Sequence, residues 1–472
     1  MTLTKSNFLT FLDSPLHLWA DANNQLESKS FSVYEQLIAR QGYEVEKLAK
    51  KYLQQKVESE YPSGSTLEFQ YQLIDGNYEA QIDALIHDVD NDTYDLYEIK
   101  SSTKIDKQNK YDVTFQYLIG KSTLKVNKIY LVYVNNDYVK DGELDLNEFF
   151  KTEDMEKVVS KLEDVVFALR AKAWEAMNQS EAMLEEHCYK PKDCPCKQLC
   201  HPNLSEYPIY DLSWWKVGQY EKLIAQGYQD LVDISEEEEL NPKQLLQVRS
   251  IKQKQPIIDE ESIKRELGNL SFPLYFLDYE TYGPATPIHD NYKPYQHITF
   301  QYSLHVMESP DDEQLKHYEF IIDNKSESSQ QLVEELLKVI GNEGSIIVWN
   351  KSFEMKCNEE LALLQPLYAA EMEAINQRVY DLMDIFKDGL FVDYRFHGSA
   401  SIKKVLPVLV PDLSYDGMEI GEGATAMTKW WEMVDGKISK EAKEKIKQDL
   451  LKYCELDTLA MVEIWRKLFL LN

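Results

Sequence analysis

In the stretch YFLDYETYGP, residues 275–284, Asp278 and Glu280 stand two apart at the end of an apolar run. If that run is a strand, alternation sends both carboxylates to one side, roughly 7 Å apart along the chain. Two like charges held so close require a cation. Other segments offer groups for the same chemistry. Glu354, in NKSFEMKCNEEL, opens a helix directly after the apolar strand SIIVW. Tyr453 and Asp457, in KYCELDTLAMVEIW, are four apart and share a helical face, about 6 Å along the axis. Asp381 and Asp384 lie between, in RVYDLMDIF. Clustered carboxylates hold hard cations such as Mg²⁺ or Mn²⁺, and phosphodiester hydrolysis uses two such ions roughly 4 Å apart.

A second set lies nearer the N-terminus. QIDALI places Asp83 in one strand of a hairpin, and YEIKS places Glu98 and Lys100 two apart on the other, so all three converge at one hairpin end. Four of the six cysteines crowd into CYKPKDCPCKQLC, residues 188–200, which in a reducing compartment reads as a metal or cluster site before it reads as disulfides.

The DxE pair, the acid after a later strand and the YxxxD of the last helix together resemble DnaQ-like exonucleases of the DEDDy type, in the ribonuclease H-like superfamily. That resemblance implies a 3′–5′ exonuclease in which Asp278, Glu280, Glu354 and Asp457 hold metal, Asp278 and Glu280 share an ion, and Tyr453 orients the attacking water. Glu354 stands where the superfamily usually has Asp, one methylene shorter. The acid followed by ExK resembles the RecB-like branch of the PD-(D/E)XK nucleases. It implies metal-binding Asp83 and Glu98 with Lys100, and Gln116 in DVTFQYLIG as the branch's downstream glutamine. In GYEVE, Glu46 occupies the histidine position of the branch's GxxVH, and a glutamate there still binds Mg²⁺. Members of this branch often carry an iron-sulfur cluster with one cysteine in a phrase like CPxxLW. This chain has SPLHLW, with Ser14 at that position. Cys188, Cys194 and Cys200 match the three downstream ligands, and Cys196 is extra and a candidate for the missing one. Four thiolates suit a 4Fe–4S cluster or a tetrahedral Zn²⁺, which softness and count do not separate, and cysteines without metal are a third reading. Cys357 and Cys454 read as ordinary buried thiols.

FLDYETYGPATP, PYQHITFQYSLHV, RVYDLMDIF, HGSASIKKVLPVLVP and YCELDTLAMV resemble a bacterial family known as a domain of unknown function, strongly over the C-terminal part of the chain and loosely over the N-terminal part. It implies a DEDDy-like nuclease fused to a RecB-like one, with DNA favoured over RNA as partner and a role in DNA repair or defence against foreign nucleic acid. In HGSASIKKVLP, Ser401 reads as a helix N-cap, and Lys403 or Lys404 as able to reach a phosphate.

The elements that would position these groups are α/β. Residues 35–55 have helical spacing, 78–89 and 93–101 form a hairpin, a helix near 112–124 precedes the strand KIYLVYV, and a long helix runs from about 153 to 186. This gives a RecB-like domain over 1–202 with the cysteines at its end. Residues 203–272, with Trp214, Trp215 and the acidic SEEEEL, read as a helical connector without a convincing strand; LIAQGYQDLVDI is faintly similar to a helix-hairpin-helix unit. A DnaQ-like domain follows over 273–472, with strands at 274–280, 297–306, 316–323 and 345–349 and helices near 328–340, 353–366, 400–406 and 441–470.

At 472 residues the chain exceeds one ordinary core, and 43% hydrophobic residues place it among globular proteins. Its 51 basic and 81 acidic residues give a formal charge of −30, which argues against a protein that coats nucleic acid nonspecifically. Lysines 100, 104, 107, 110, 121, 125 and 128 nevertheless form a basic island against Asp106 and Asp112. No apolar run reaches a membrane span and the first residues lack a signal peptide's apolar centre, so the expectation is a cytoplasmic protein without a membrane partner. The competing expectation is a nucleic-acid-binding or assembly protein whose nuclease-like folds do not cut. Intact acids at both sites argue against it.

Overall fold

The computed structural model describes every residue except 27–30, 183–187, 189–193, 327–328 and 472. The chain forms two compact units, Met1–Pro202 with Pro284–Gln296, and Asn203–Gly283 with His297–Asn472. Among the described residues no helix is long and apolar enough to cross a membrane.

In the first unit, β1 (Leu3–Thr4) leads into α1 (Lys5–Asp13), α2 (Pro15–Ala22) and α3 (Val33–Glu60). Then come β2 (Thr66–Asp75), β3 (Tyr78–Asp88), β4 (Thr93–Lys100), α4 (Lys107–Thr123) and β5 (Val126–Val134). α5 (Leu146–Phe149), β6 (Phe150–Asp154), α6 (Glu156–Met177) and α7 (Lys197–Cys200) complete it. The sheet runs β1-β3-β4-β5-β6, with β2 also on β3. β4 and β5 pair in parallel, and the apolar run of β5 reflects burial from both sides. One face packs Phe8, Val113, Phe115, Leu118 and Val166 from the helices against Leu85, Leu96 and Leu131. The other packs Val45, Ala49 and Leu53 of α3 against Ala84, Ile86, Tyr97 and Val132. α6 stops at Met177, short of the expected 186; Asn178 closes it by bonding back to Trp174 O, and residues 183–187 lie outside the described set.

The second unit begins with α8 (Val217–Ala225), α9 (Pro242–Gln253), β7 (Ile257–Ile258) and α10 (Glu260–Gly268). Within the stretch expected to be helical, β7 pairs with two residues near 391, too short a ladder to leave a period in the sequence. After α8 the chain turns at Gly227 (φ 89°) into a single 3-10 turn, so the helix-hairpin-helix likeness lacks its second helix there. The sheet is built from β8 (Leu274–Tyr282), β9 (Ile298–Met307), β10 (Lys316–Ile321), β11 (Ser345–Val348) and β12 (Val379–Asp381), in the order β10-β9-β8-β11-β12. Around it lie α11 (Ser329–Val339), α12 (Lys351–Leu364), α13 (Ala369–Asn376), α14 (Asp384–Lys387), β13 (Phe391–Val392), α15 (Ile402–Leu409), α16 (Gly423–Val434) and α17 (Lys440–Phe469). The core joins Leu274, Phe276 and Ile347 of the strands to Ala460, Met461, Ile464 and Trp465 of α17.

Candidate active sites

In β8 the residues around Asp278 and Glu280 are buried, and alternation turns both carboxylates to the face that α17 covers. A register shift follows Glu280, where the ladder with β9 slips before Thr281. α17 brings Asp457 to the same place, so that one oxygen from each of Asp278, Glu280 and Asp457 lies within 4.8 Å of the others. Tyr453, one turn earlier, is buried, and burial, then the charge of Asp457, holds its hydroxyl well above the usual range. Glu354 opens α12 and is buried, with Oε2 lacking a hydrogen-bond partner.

The groups bonded to these carboxylates are neutral. The Cys454 thiol points at Asp278 Oδ2 (3.3 Å), and the Tyr415 hydroxyl donates to Asp457 Oδ1 (2.5 Å). Burial, then the charge of Asp457, holds the Asp278 carboxyl well above the usual carboxylate range. Burial does the same for Glu280, with Asp278 and Asp457 adding to it. Burial and Asp278 lift Glu354 to about 9. Burial lifts Asp457 to about 6, against the pull of Tyr415 and Lys403. These are acids short of positive charge. An all-oxygen donor set, three converging carboxylates and an orphaned buried oxygen beside them fit a hard divalent cation.

Tyr415 and Lys403 complete the surroundings. Lys403 Nζ donates to Gly421 O (2.7 Å) and lies 5.6 and 5.7 Å from the rings of Tyr415 and Tyr453. The sequence had singled out Lys403 with Lys404 only as phosphate candidates. Tyr415 was missed, since a loop tyrosine carries no periodic signal. Ser401 sits at the N-cap of α15, but its side chain makes no capping bond. Asp381 accepts from Lys351 N (2.9 Å) and Met383 N (3.1 Å), tying β12 to the start of α12, and Asp384 is outside the converging group.

In the first unit, β1 borders Tyr78 and Glu79 of β3, while β4 pairs only from Ala84 onward. Past the last pair, Ala84 with Tyr97, the Asp83 carboxylate replaces the ladder by accepting from Ile99 N (2.8 Å). Glu98 and Lys100 project from β4 beyond this split. Lys100 Nζ bonds Glu98 Oε1 (2.6 Å) and Asp112 Oδ2 (2.7 Å); Gln116 Nε2 bonds Glu98 Oε2 (2.7 Å) and Asp112 Oδ1 (2.7 Å). Lys5 contributes a second ammonium, 2.9 and 3.1 Å from the two Glu98 oxygens. Glu46, on α3, is reached by Gln70, whose amide also approaches Asp83 at 3.4 Å. Gln70 has a left-handed φ (55°) and, opposite Asp83, is left out of an otherwise continuous β2–β3 ladder, so the backbone is strained where its amide meets the two acids.

The electrostatics differ from those of the other unit. Burial would raise Glu98, but Lys100 and Lys5 outweigh it and hold it down to about 2. Burial, with Glu98, lifts Asp83 to about 7 and Asp112 to about 6. The structure thus brings Asp83, Glu98, Lys100 and Gln116 together and links Glu46 to them through Gln70. No three of these acids converge within 4.8 Å, and lysines of the chain already neutralise Glu98. This donor set does not fit a bound cation as it stands. Lys5, Gln70 and Asp112 were missed; only Asp112, four before Gln116 on a helix, left a sequence signal.

The basic island is largely committed within the chain. Lys121 pairs with Glu163, Lys128 with Asp154 (2.6 Å), Lys100 with the acids above, and Lys125 donates to Asn91 O (3.0 Å). Among the cysteines, Cys194 and Cys196 are buried beside Ala20, with Cys188 and Cys200 half-buried around them. Cys194 Sγ lies 3.8 Å from Cys200 Sγ and 3.7 Å from His17 Nε2. Burial, and then the neighbouring thiols, push Cys200 up to about 12. No three ligand atoms here gather within 4.8 Å among the described residues. His17, from the SPLHLW phrase, is the group that reaches the cysteines; Ser14 is the N-cap residue of α2.

Residues 275–401 match the family model of a domain of unknown function (DUF2779). The matched stretch holds Asp278, Glu280 and Glu354; Tyr453 and Asp457 lie beyond it. Among curated proteins, the uncharacterized protein UU173 of Ureaplasma parvum serovar 3 is 29% identical over 207 residues, 40% of this chain and 30% of that protein. The uncharacterized protein MG366 of Mycoplasma genitalium is 27% identical over 205 residues, 40% of this chain and 31% of that protein. The alignments thus span under a third of the length of these relatives. Among solved structures, an alkaline exonuclease (LHK-Exo) from Laribacter hongkongensis overlaps 37% of this chain and 89% of its own at 13% identity, with a TM-score of 0.25. SSO0001 overlaps 43% and 87% at 12% identity, also with a TM-score of 0.25.

Proposed function

We propose that the second unit is a DnaQ-like 3′–5′ exonuclease of the DEDDy type, acting on nucleic acid, with DNA preferred to RNA. The observation that carries this reading is the convergence of Asp278, Glu280 and Asp457 within 4.8 Å of one another, with Tyr453 on the same helix. Asp278, Glu280, Asp457 and Glu354 would hold Mg²⁺ or Mn²⁺, which when bound neutralises the scissile phosphate and acidifies the attacking water. Tyr453, one turn before Asp457 on the same helix, holds that water through its hydroxyl, and Lys403 adds the positive charge nearest the two tyrosines. The buried walls restrict bulk water, which strengthens each of these electrostatic contacts.

For the first unit we propose a RecB-like PD-(D/E)XK module that holds nucleic acid without cutting. The observation that favours holding over cutting is the saturation of Glu98 by Lys5, Lys100 and Gln116. The cysteine segment is proposed as the brace of this module, through an iron-sulfur cluster or Zn²⁺ held by Cys188, Cys194, Cys196 and Cys200. Lys100→Ala should then leave trimming under saturating substrate unchanged. Any cleavage product that disappears with Lys100→Ala but survives loss of Asp278 would assign cutting to the first unit instead.

The test of the main reading is a ladder assay on 5′-labelled and 3′-labelled single and double strands with Mg²⁺ or Mn²⁺. Stepwise shortening of the 5′-labelled strand, with release of the 3′ label as a mononucleotide, is expected. Intact substrate under every metal, with binding retained, would favour a silent binding protein.

A further inference from the structure

We propose that His305, His317 and Glu455 form a second, nitrogen-rich metal site that takes a transition metal of the Zn²⁺ class. One ligand atom from each lies within 4.8 Å of the others. β9 and β10 are antiparallel neighbours, and His305 stands directly opposite His317 in their register, with ring centroids 4.5 Å apart. Glu455 reaches them from α17, its Oε1 3.8 Å from His317 Nδ1.

The hydroxyls behind the rings fix which nitrogens are free. With the single proton of Thr458 Oγ1 on the carbonyl of Glu455 (3.0 Å), the hydroxyl accepts from His305 Nδ1 (2.8 Å). That leaves the lone pair of His305 on Nε2. Ser303 Oγ lies 2.8 Å from Thr458 Oγ1 and 2.9 Å from His317 Nε2. With the serine proton directed to Thr458, His317 donates through Nε2 and presents a bare Nδ1 toward Glu455. Each imidazole therefore has one nitrogen anchored by a hydroxyl and the other open, the pattern that orients metal-binding histidines.

Two imidazoles and one carboxylate suit Zn²⁺ with a fourth position open, whereas the all-oxygen group on β8 and α17 suits Mg²⁺. Tetrahedral closure to bond lengths of about 2.0–2.2 Å requires the ligands to draw together. Glu455, the most exposed of the three, has the freedom to do so. A bound ion would fasten α17 to the β9–β10 pair two residues from both Tyr453 and Asp457. The proposal stands whether or not the carboxylate group cuts.

The test uses the full chain, stripped with a chelator and held in excess Mg²⁺ to keep the carboxylate site filled. Titration with Co²⁺ should give visible d–d bands without sulfur charge transfer, separate from any cysteine-bound Co²⁺, which shows charge transfer in the near ultraviolet. His305→Gln/His317→Gln should lose these bands and one equivalent of Zn²⁺ while keeping the cysteine signal. Should that variant fail to fold, His317→Gln on the edge strand and Glu455→Gln on the exposed helix face serve instead. Each should weaken Zn²⁺ binding by about tenfold or more, since losing even an outer partner of a ligand costs that much. Unchanged Zn²⁺ stoichiometry and an unchanged Co²⁺ spectrum in the folded variants would overturn the site.

Discussion

Asp278, Glu280, Glu354 and Asp457 all bind their protons more tightly in the folded chain than in the unfolded one, because burial and mutual repulsion oppose ionisation. An acid with a raised folded pKa contributes stability fully below its unfolded value, about 4, and loses it as pH rises through the folded value. For Asp457 that window ends near 6, and for Glu354 near 9. A cation that requires the ionised carboxylates gains affinity over the same range. The gap in Tm between Mg²⁺-loaded and chelator-treated protein should therefore widen steadily from pH 5 to 9, by thermal melts at each pH. A gap that narrows with rising pH would contradict the assignment of these acids to a metal. Asp278, Glu280, Tyr453 and Asp457 were legible because residue spacing within one strand or one helix dictates a shared face. Lys5, Gln70, Tyr415 and His17 were not, since each reaches its site through tertiary pairing that leaves no local period.

At the scale of elements, the clearest case is α4, which carries Asp112 and Gln116 against β4. Gly120 lies where α4 crosses the sheet, and a Cβ there would come within 2.9 Å of Leu96 Cδ2 and 3.3 Å of Val126 Cγ2. Gly120→Ala would gain about 1 kcal/mol of helix propensity. It would also overpack a site walled by the fully buried Leu96, at a cost of about 1–3 kcal/mol. The net should be a loss, read as a lower denaturation midpoint of the first unit; a rise would mean that the sheet yields freely. The long, strongly patterned elements were readable: α3, β3 with β4, β5, β8, β9, α12 and α17 all lie close to where periodicity puts them. β2 was missed because its mostly exposed and half-exposed residues show no clean alternation. β1, β7, β12 and β13, of two or three residues, are too short for any period. The end of α6 at Asn178 was overrun because the amphipathic pattern continues past it.

For the whole chain, the proposed nuclease reading sets a net charge of −30 against a polyanionic substrate. Most lysines of the basic island bond acids or carbonyls of their own chain, so few remain to displace counterions from phosphates. Each phosphate contact contributes roughly −0.9 to the slope of log K against log salt on duplex DNA. Binding measured by anisotropy in Mg²⁺ should give a shallow slope, about −3 or weaker; a slope near −8 would reveal a basic surface that these pairings hide. The central claim is that the carboxylates of β8 and α17 cut. The most direct measurement is the trimming rate of Asp278→Asn against wild type on one 5′-labelled strand, at saturating Mg²⁺, with folding checked by thermal melt. The account predicts a fall of at least about a hundredfold, near 3 kcal/mol of lost transition-state stabilisation. A folded Asp278→Asn protein that trims at the wild-type rate would contradict it.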